Sequence, residues 1–194
     1  MTLTVAKMLY GTLFILFVMI RRTAGRQAGG GEVHHAGRER LLSVGVLVSQ
    51  LGSSVLFLAT DWLGFAQVGL PTVVQVAGAV LAGGGLVLLL RVHKALGAHF
   101  SPVLELKADH RLVREGPYAT MRHPMYTAGL LFVVGHGVLS ANLVVLIAPL
   151  AALGLLVAMR LPDEERMLRE RFGPEFDAWA AQTGALLPRI GRSS

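Results

Sequence analysis

Residues 126–165, YTAGLLFVVGHGVLSANLVVLIAPLAALGLLVAMRLPDEE, decide the fold. Two apolar runs, Tyr126–Leu139 and Leu143–Met159, flank Ser140-Ala141-Asn142, and the second ends on Arg160 and the acids Asp163, Glu164 and Glu165. Neither run carries a Lys, Arg, Asp or Glu. Apolar helices joined by so short a turn make an antiparallel hairpin. Asn142 is the predicted N-cap of the second arm, and Pro149 predicts a kink within it. Both arms sit at or below the roughly 17–20 residues that a helix needs to cross a bilayer.

Three further apolar runs precede the hairpin, Val5–Ile20, Leu41–Leu58 and Val73–Leu90. Each reaches spanning length once its neutral flanks are added. Hydrophobic residues make up 53% of the chain and charged ones 15%, with a mean hydropathy of +0.58. That excludes an ordinary soluble globule. The expected architecture is all-α and polytopic, with about five transmembrane helices. Residues 1–90 hold three of them and residues 91–194 the helix 4–5 hairpin with a polar loop and tail, all within one integral membrane domain 1–194.

The first run is followed, not preceded, by Arg21, Arg22 and Arg26, which is the pattern of a retained span rather than of a cleaved leader. Lys7, near the start of that run, is placed to snorkel to the interface. Of the 18 Lys and Arg residues, all but Lys7 fall on one side of a five-segment topology. The positive-inside rule then places the N-terminus outside and the C-terminus in the cytoplasm. Topology thereby accounts for the net charge of +6, and no nucleic-acid partner is expected. The chain has no cysteine, so thiolate nucleophiles and thiolate metal sites are excluded.

Gly83-Gly84-Gly85, in the third run, follows no strand and precedes no Lys-Ser/Thr pair, as a phosphate loop would require. With Gly78, Ala79 and Ala82 it predicts close helix packing instead. Gln27–Gly31 (QAGGG) reads as a flexible connector. His34 and His35 beyond it lack the further ligands of a metal site, and no metal is expected. The stretch from Arg91 to Arg122 is long and polar, as functional loops often are. Leu161-Pro162-Asp163-Glu164-Glu165 predicts a fresh helix start. The following Arg166–Ala181 is amphipathic, with Gly173-Pro174 as a break.

Two polar clusters flank the hairpin. One runs through His110-Arg111-Leu112-Val113, Gly116-Pro117-Tyr118 and Arg122-His123-Pro124-Met125-Tyr126; the other is Arg160 with Glu164 and Glu165. The hairpin brings them to one membrane boundary, where such groups need pairing or water. Two readings stand on the residues alone. The cluster lines a polar pocket, or the arginines are topological anchors, the tyrosines an interfacial belt and the acids a helix start.

The same residues resemble the isoprenylcysteine carboxyl methyltransferase family. Gly116-Pro117-Tyr118, Arg122-His123-Pro124-Met125-Tyr126, an apolar hairpin and Glu164-Glu165 carry the likeness. Phe172-Gly173-Pro174-Glu175-Phe176 and Leu187-Pro188 extend it, over about Leu90 to Ile190. The Arg-His-Pro and Glu-Glu signature is shared with phospholipid methyltransferases and some reductase-like membrane proteins. The resemblance implies an S-adenosyl-L-methionine site, with S-adenosyl-L-homocysteine as product, built by His110, Arg111, Leu112, Val113, Tyr118, His123, Pro124, Met125, Tyr126 and Glu164. It places Arg160 near the substrate as the catalytic and substrate-binding residue, and places Glu105 loosely on the cofactor side.

These residue types suit that chemistry. A carboxylate pairs the cofactor's cationic end, and aromatic faces favour a sulfonium by cation–π contact. The start of a helix at Pro124 offers backbone N–H groups to a carboxylate. A carboxylate acceptor is already ionised at neutral pH and needs only a positioning cation, which Arg160 supplies. An amine acceptor needs a base. The expected partners are membrane lipids and an amphiphilic or prenylated small molecule or peptide, its tail entering between segments 1, 3 and 4; no protein partner is inferred. A phospholipid N-methyltransferase and a non-catalytic membrane module are the alternatives.

Overall fold

The structure is a computed structural model that describes residues 1–25, 36–97 and 112–189. Every regular element in it is helical. Helix α1 spans Leu3–Gly25, α2 Ala36–Ala59, α3 Thr72–Leu96, α4 Pro124–Ser140, α5 Leu143–Phe172 and α6 Pro174–Gln182, with short 3-10 turns at Trp62–Ala66 and Gly116–Ala119. Four helices, α1, α2, α3 and α5, are long and apolar enough to cross a membrane, and α4 is apolar but shorter. The chain is an integral membrane protein.

Helix α4 is the centre of the bundle. It lies against α3 through glycines that leave no room for a side chain. A Cβ on Gly85 would stand 2.7 Å from the Phe132 amide nitrogen, and one on Gly78 would stand 2.8 Å from the Gly135 carbonyl oxygen. Gly135 returns the contact against the Ala82 backbone. Backbone-to-backbone approach of this kind replaces the hydrophobic drive that helices lack within lipid. Gly83 and Gly84 face open space, so the packing function belongs to Gly78 and Gly85.

On its other side α4 meets α1 through His136. The imidazole stacks on Tyr10 at 3.4 Å between ring centroids, and its Nε2–H donates to the Tyr10 carbonyl at 3.0 Å. The Tyr10 hydroxyl shares a 2.7 Å hydrogen bond with Ser54 of α2. Polar groups at membrane depth are thus paired across three helices, as burial demands.

The turn between α4 and α5 forms as expected. Asn142 Oδ1 accepts from the amides of Val144 and Val145, and its Nδ2 donates to the Leu63 carbonyl at 2.8 Å. Two expectations are corrected. Pro162 does not start a new helix; α5 runs through both Pro149 and Pro162 to Phe172. A proline removes its own donor and displaces one bond, a loss that neighbouring groups make good in a packed bundle. Beside it, the pairs Arg160–Glu164 and Arg38–Asp163 hold the helix on both flanks. The hairpin arms are therefore unequal, 17 residues in α4 and 30 in α5. The break does fall at Gly173-Pro174, with Gly173 at φ +52°.

Replacing Gly85 by alanine is expected to lower the thermal midpoint of the detergent-solubilised protein, by an overpacking cost of about 1–3 kcal/mol. Gly84→Ala serves as the control and leaves the midpoint unchanged or slightly higher. Equal midpoints for the two variants in a fluorescence melt would count against the tight α3–α4 contact.

Candidate active site

The loop before α4 is held by the chain that follows α6. The amides of Arg122 and His123 donate to the carbonyls of Gly184 and Ala185, at 2.8 and 3.0 Å, and the amides of Gly184 and Arg189 return to the Thr120 carbonyl. Arg122 completes the splice. Its Nε donates to Glu165 at 2.8 Å and its Nη1 to the carbonyls of Ala180 and Thr183. This arginine is a clamp joining α5, α6 and the loop.

His123 sits at the N-cap position of α4 and is 6% exposed. Nδ1 lies 3.2 Å from Glu164 and Nε2 lies 3.3 Å from Glu165. Burial alone would lower its pKa, but the hydrogen bonds and charges of the two carboxylates outweigh it, and the net direction is upward. Both ring nitrogens facing carboxylates is the arrangement of an imidazolium.

Glu164 also accepts from the Tyr126 hydroxyl at 2.8 Å and pairs with Arg160 one turn earlier at 3.2 Å. Arg160, 7% exposed, meets a second carboxylate, Glu39 of α2, at 3.5 Å. Glu39 is 1% exposed. An arginine and an acid at this depth persist because each offsets the other.

These groups form the polar end of a cavity of about 800 Å³, well within the size range of small-molecule sites. Leu112, Val113, Tyr118, His123, Met125, Tyr126, Arg160 and Glu164 all line it. Pro124 is buried as the first residue of α4 and does not line the cavity. The Tyr126 and Thr127 amides of that first turn are directed to the His123 carbonyl. Tyr118 is seated by the Trp179 indole, which donates to its carbonyl at 3.1 Å. Burial, then the Glu164 charge, push the Tyr118 hydroxyl above its ordinary value, so it stays neutral. His110, Arg111 and Glu105, like His34 and His35, lie outside the described residues. Among the described residues, no three His, Asp or Glu side chains gather as a metal site would.

From the polar end the cavity continues as an apolar chamber walled by Phe14 and Phe17 of α1, Val46 and Leu47 of α2, Phe132 and Val133 of α4, and Leu153 and Leu156 of α5. The expected gap between segments 1, 3 and 4 is thus displaced. Helices α1, α3 and α4 pack together, as in the Phe17–Phe132 stack at 4.5 Å. The chamber instead lies between α1 and α2. Those helices touch at the end away from the site, through Tyr10 with Ser54 and Phe57, and both line the cavity at the other end. Sequence reasoning missed Glu39 and Arg21, which enter the site from α2 and α1. The only available signal was an acid and an arginine at the ends of apolar runs, where a topological role is the usual one.

The model of the phospholipid methyltransferase family matches residues 73–175. The chain belongs to that family. Relatives include a probable protein-S-isoprenylcysteine O-methyltransferase of Oryza sativa subsp. japonica, 28% identical over 130 residues, or 67% of this chain and 62% of the relative. Protein-S-isoprenylcysteine O-methyltransferase B of Arabidopsis thaliana is 32% identical over 48% of this chain and 49% of its own length. The cobalt-zinc-cadmium resistance protein CzcN of Cupriavidus metallidurans is 34% identical over 43% and 38%. The chain thus spans less than two thirds of these relatives. A solved structure of the eukaryotic intramembrane Ras methyltransferase ICMT shares the fold, with a TM-score of 0.55 and 22% identity over 81% of this chain and 55% of that one. The match to the phospholipid methyltransferase family starts at residue 73, so it covers α3 to α5 and leaves out α1 and α2.

A histidine whose pKa is raised by folding adds stability that is complete below its ordinary value near 6.5, and the contribution disappears as pH rises through the raised value. The thermal midpoint is therefore expected to fall as pH rises from neutral through the raised His123 value. In His123→Gln that fall should flatten. An unchanged slope in the variant would show that His123 does not titrate there.

Proposed function

We propose that this family member is an S-adenosyl-L-methionine-dependent methyltransferase acting on the carboxylate of an amphiphile of the isoprenylcysteine type. The observation that carries the reading is one cavity in which Glu164, two tyrosines and Arg160 meet the mouth of an apolar chamber. Residues 91–194 supply most of the cofactor half. The basic residues at the site end support a cytoplasmic placement of that face.

The residues present fit the cofactor. A carboxylate at Glu164 suits its cationic end, and the Tyr118 and Tyr126 rings suit a sulfonium. When bound, S-adenosyl-L-methionine supplies an electrophilic methyl group. The chain's own residues do the rest. Tyr126, His123 and Arg160 fix the Glu164 carboxylate. Arg160, held by Glu39 and Glu164, presents the planar fork that aligns an acceptor carboxylate. The apolar walls exclude water from the line of transfer.

The surroundings of His123 favour a carboxylate over an amine acceptor. An N-methyltransferase needs a base to take the amine's proton, and His123 is the nearest candidate. Its two nitrogens face Glu164 and Glu165, whose hydrogen bonds and charges outweigh burial and shift it toward the protonated form, which disfavours it as that base. A carboxylate acceptor needs no base.

Calorimetry of S-adenosyl-L-homocysteine on the purified protein tests the reading. Saturable binding is expected, weakened at least about tenfold in Glu164→Ala, the usual cost of a charge-assisted contact. Arg160→Lys keeps the charge but not the fork; it should lower methylation of an S-prenylcysteine while leaving that affinity nearly intact. A folded protein that does not bind the ligand would overturn the reading and leave a non-catalytic membrane module.

A further inference from the structure

Gln50 stands inside the apolar α2 span Gly37–Ala59, is 7% exposed, and lines the apolar chamber. Nothing in the methyltransferase reading uses it. An amide at membrane depth is costly unless its donors and its acceptor are matched. Helix packing accounts for only one end of this one. Its Nε2 faces the Ser54 hydroxyl at 3.4 Å. Its Oε1 is buried and meets no donor among the described residues.

Ser54 fixes the orientation of the amide. The serine donates its one hydroxyl proton to the Gln50 backbone carbonyl at 2.6 Å, so toward the Gln50 side chain it can only accept. The amide nitrogen must face it, and the oxygen is the group left over. Ser54 does not depend on that amide, since it also accepts from the Tyr10 hydroxyl at 2.7 Å. The 3.4 Å contact is the longest of the three and the easiest to give up. The last torsion of a glutamine side chain is broad, and a turn about it brings the covered Oε1 to the chamber.

Gln50 also has a defined depth. Glu39 marks the Arg160 end of α2, and Gln50 lies about 16 Å further along the helix, at 1.5 Å per residue. Val46 and Leu47 line the wall between them. One to two turns beyond Gln50, Ser54 and Phe57 meet Tyr10 and close the gap between α1 and α2. The unmatched oxygen therefore stands at the closed end of the chamber, where the far end of a tail comes to rest.

We infer that Gln50 is a specificity-determining residue at the foot of the acceptor chamber: the acceptor is a carboxylate amphiphile whose tail carries a hydroxyl near its far end, donated to Gln50 Oε1. The inference rests on the methyltransferase reading and narrows its acceptor. A tail that is hydrocarbon to its tip displaces water from the chamber and leaves the oxygen unmatched. A site that hydrogen-bonds a hydroxyl discriminates against the analogue lacking it far more strongly than an apolar pocket can.

The test uses the full chain in detergent, saturated with S-adenosyl-L-homocysteine. Dissociation constants are measured for N-acetyl-S-dodecylcysteine and its ω-hydroxy analogue, and for the decyl and tetradecyl pairs, so that one tip falls level with Gln50. At the best-matched length, the ratio of the plain to the hydroxylated constant should be about tenfold higher in the wild type than in Gln50→Met. Comparing ratios between proteins cancels the unequal partition of the two tails into the micelle. Gln50→Leu, of different shape, should match Gln50→Met. S-adenosyl-L-homocysteine affinity should stay level across all three, which also shows that the variants fold. A ratio that is the same in wild type and variants at every length overturns the inference and leaves water as the partner of Gln50. So does a wild type that holds S-adenosyl-L-homocysteine but binds neither kind of tail. Failure of the wild type to bind S-adenosyl-L-homocysteine sinks the methyltransferase reading instead and is read out separately.

Discussion

A guanidinium at the end of an apolar helix must find counter-charge before that helix can pack, and Arg160 finds it on two sides. Glu164 lies one turn along α5. Glu39 comes from α2, so the same neutralisation that makes Arg160 tolerable fixes α2 against α5. The neighbouring Arg38–Asp163 pair repeats the tie. Breaking such a pair leaves a buried charge uncompensated, at a cost of about 3–5 kcal/mol. The width of the cavity mouth follows from these ties.

The two halves of the cavity are built differently. The α3–α4 wall is backbone against backbone, with Gly78, Gly85 and Gly135 admitting no side chain. It is stiff because backbone atoms in van der Waals contact, with no rotatable side chain between them, set its spacing. The α1–α2 wall is closed at one end by Tyr10, Ser54 and Phe57 and parts toward the other. On the proposed function, the cofactor lies toward the stiff wall and the acceptor's tail along the looser one.

Much of this is legible in the sequence because membrane burial writes long, simple signals. The apolar runs give the spans, and Asn142 after Ser140-Ala141 gives the hairpin turn. The spacing of Arg160 and Glu164 puts them on one face of a helix. Pro162 misleads because a proline after a cationic boundary is a good local sign of a helix start, while the packing that lets α5 run through it is tertiary. Arg21 and Glu39 are invisible for a related reason. An arginine and an acid beside apolar runs are the commonest features of any membrane protein, and only the packing of α1 against α4 and of α2 against α5 brings them to the site. The family resemblance does not reach them either, since it lies in the second half of the chain.

The loop before α4 gets its backbone partners from residues 184–189, which follow the last described helix, α6. Arg122 likewise needs the Ala180 and Thr183 carbonyls. During synthesis α1 to α5 can enter the membrane and pack in order while that loop still lacks its partners. The loop at the polar end thus gains its backbone partners only after α5 and α6 have been made. A ribosome that stalls before this point leaves a bundle with its helices in place and its pocket unformed.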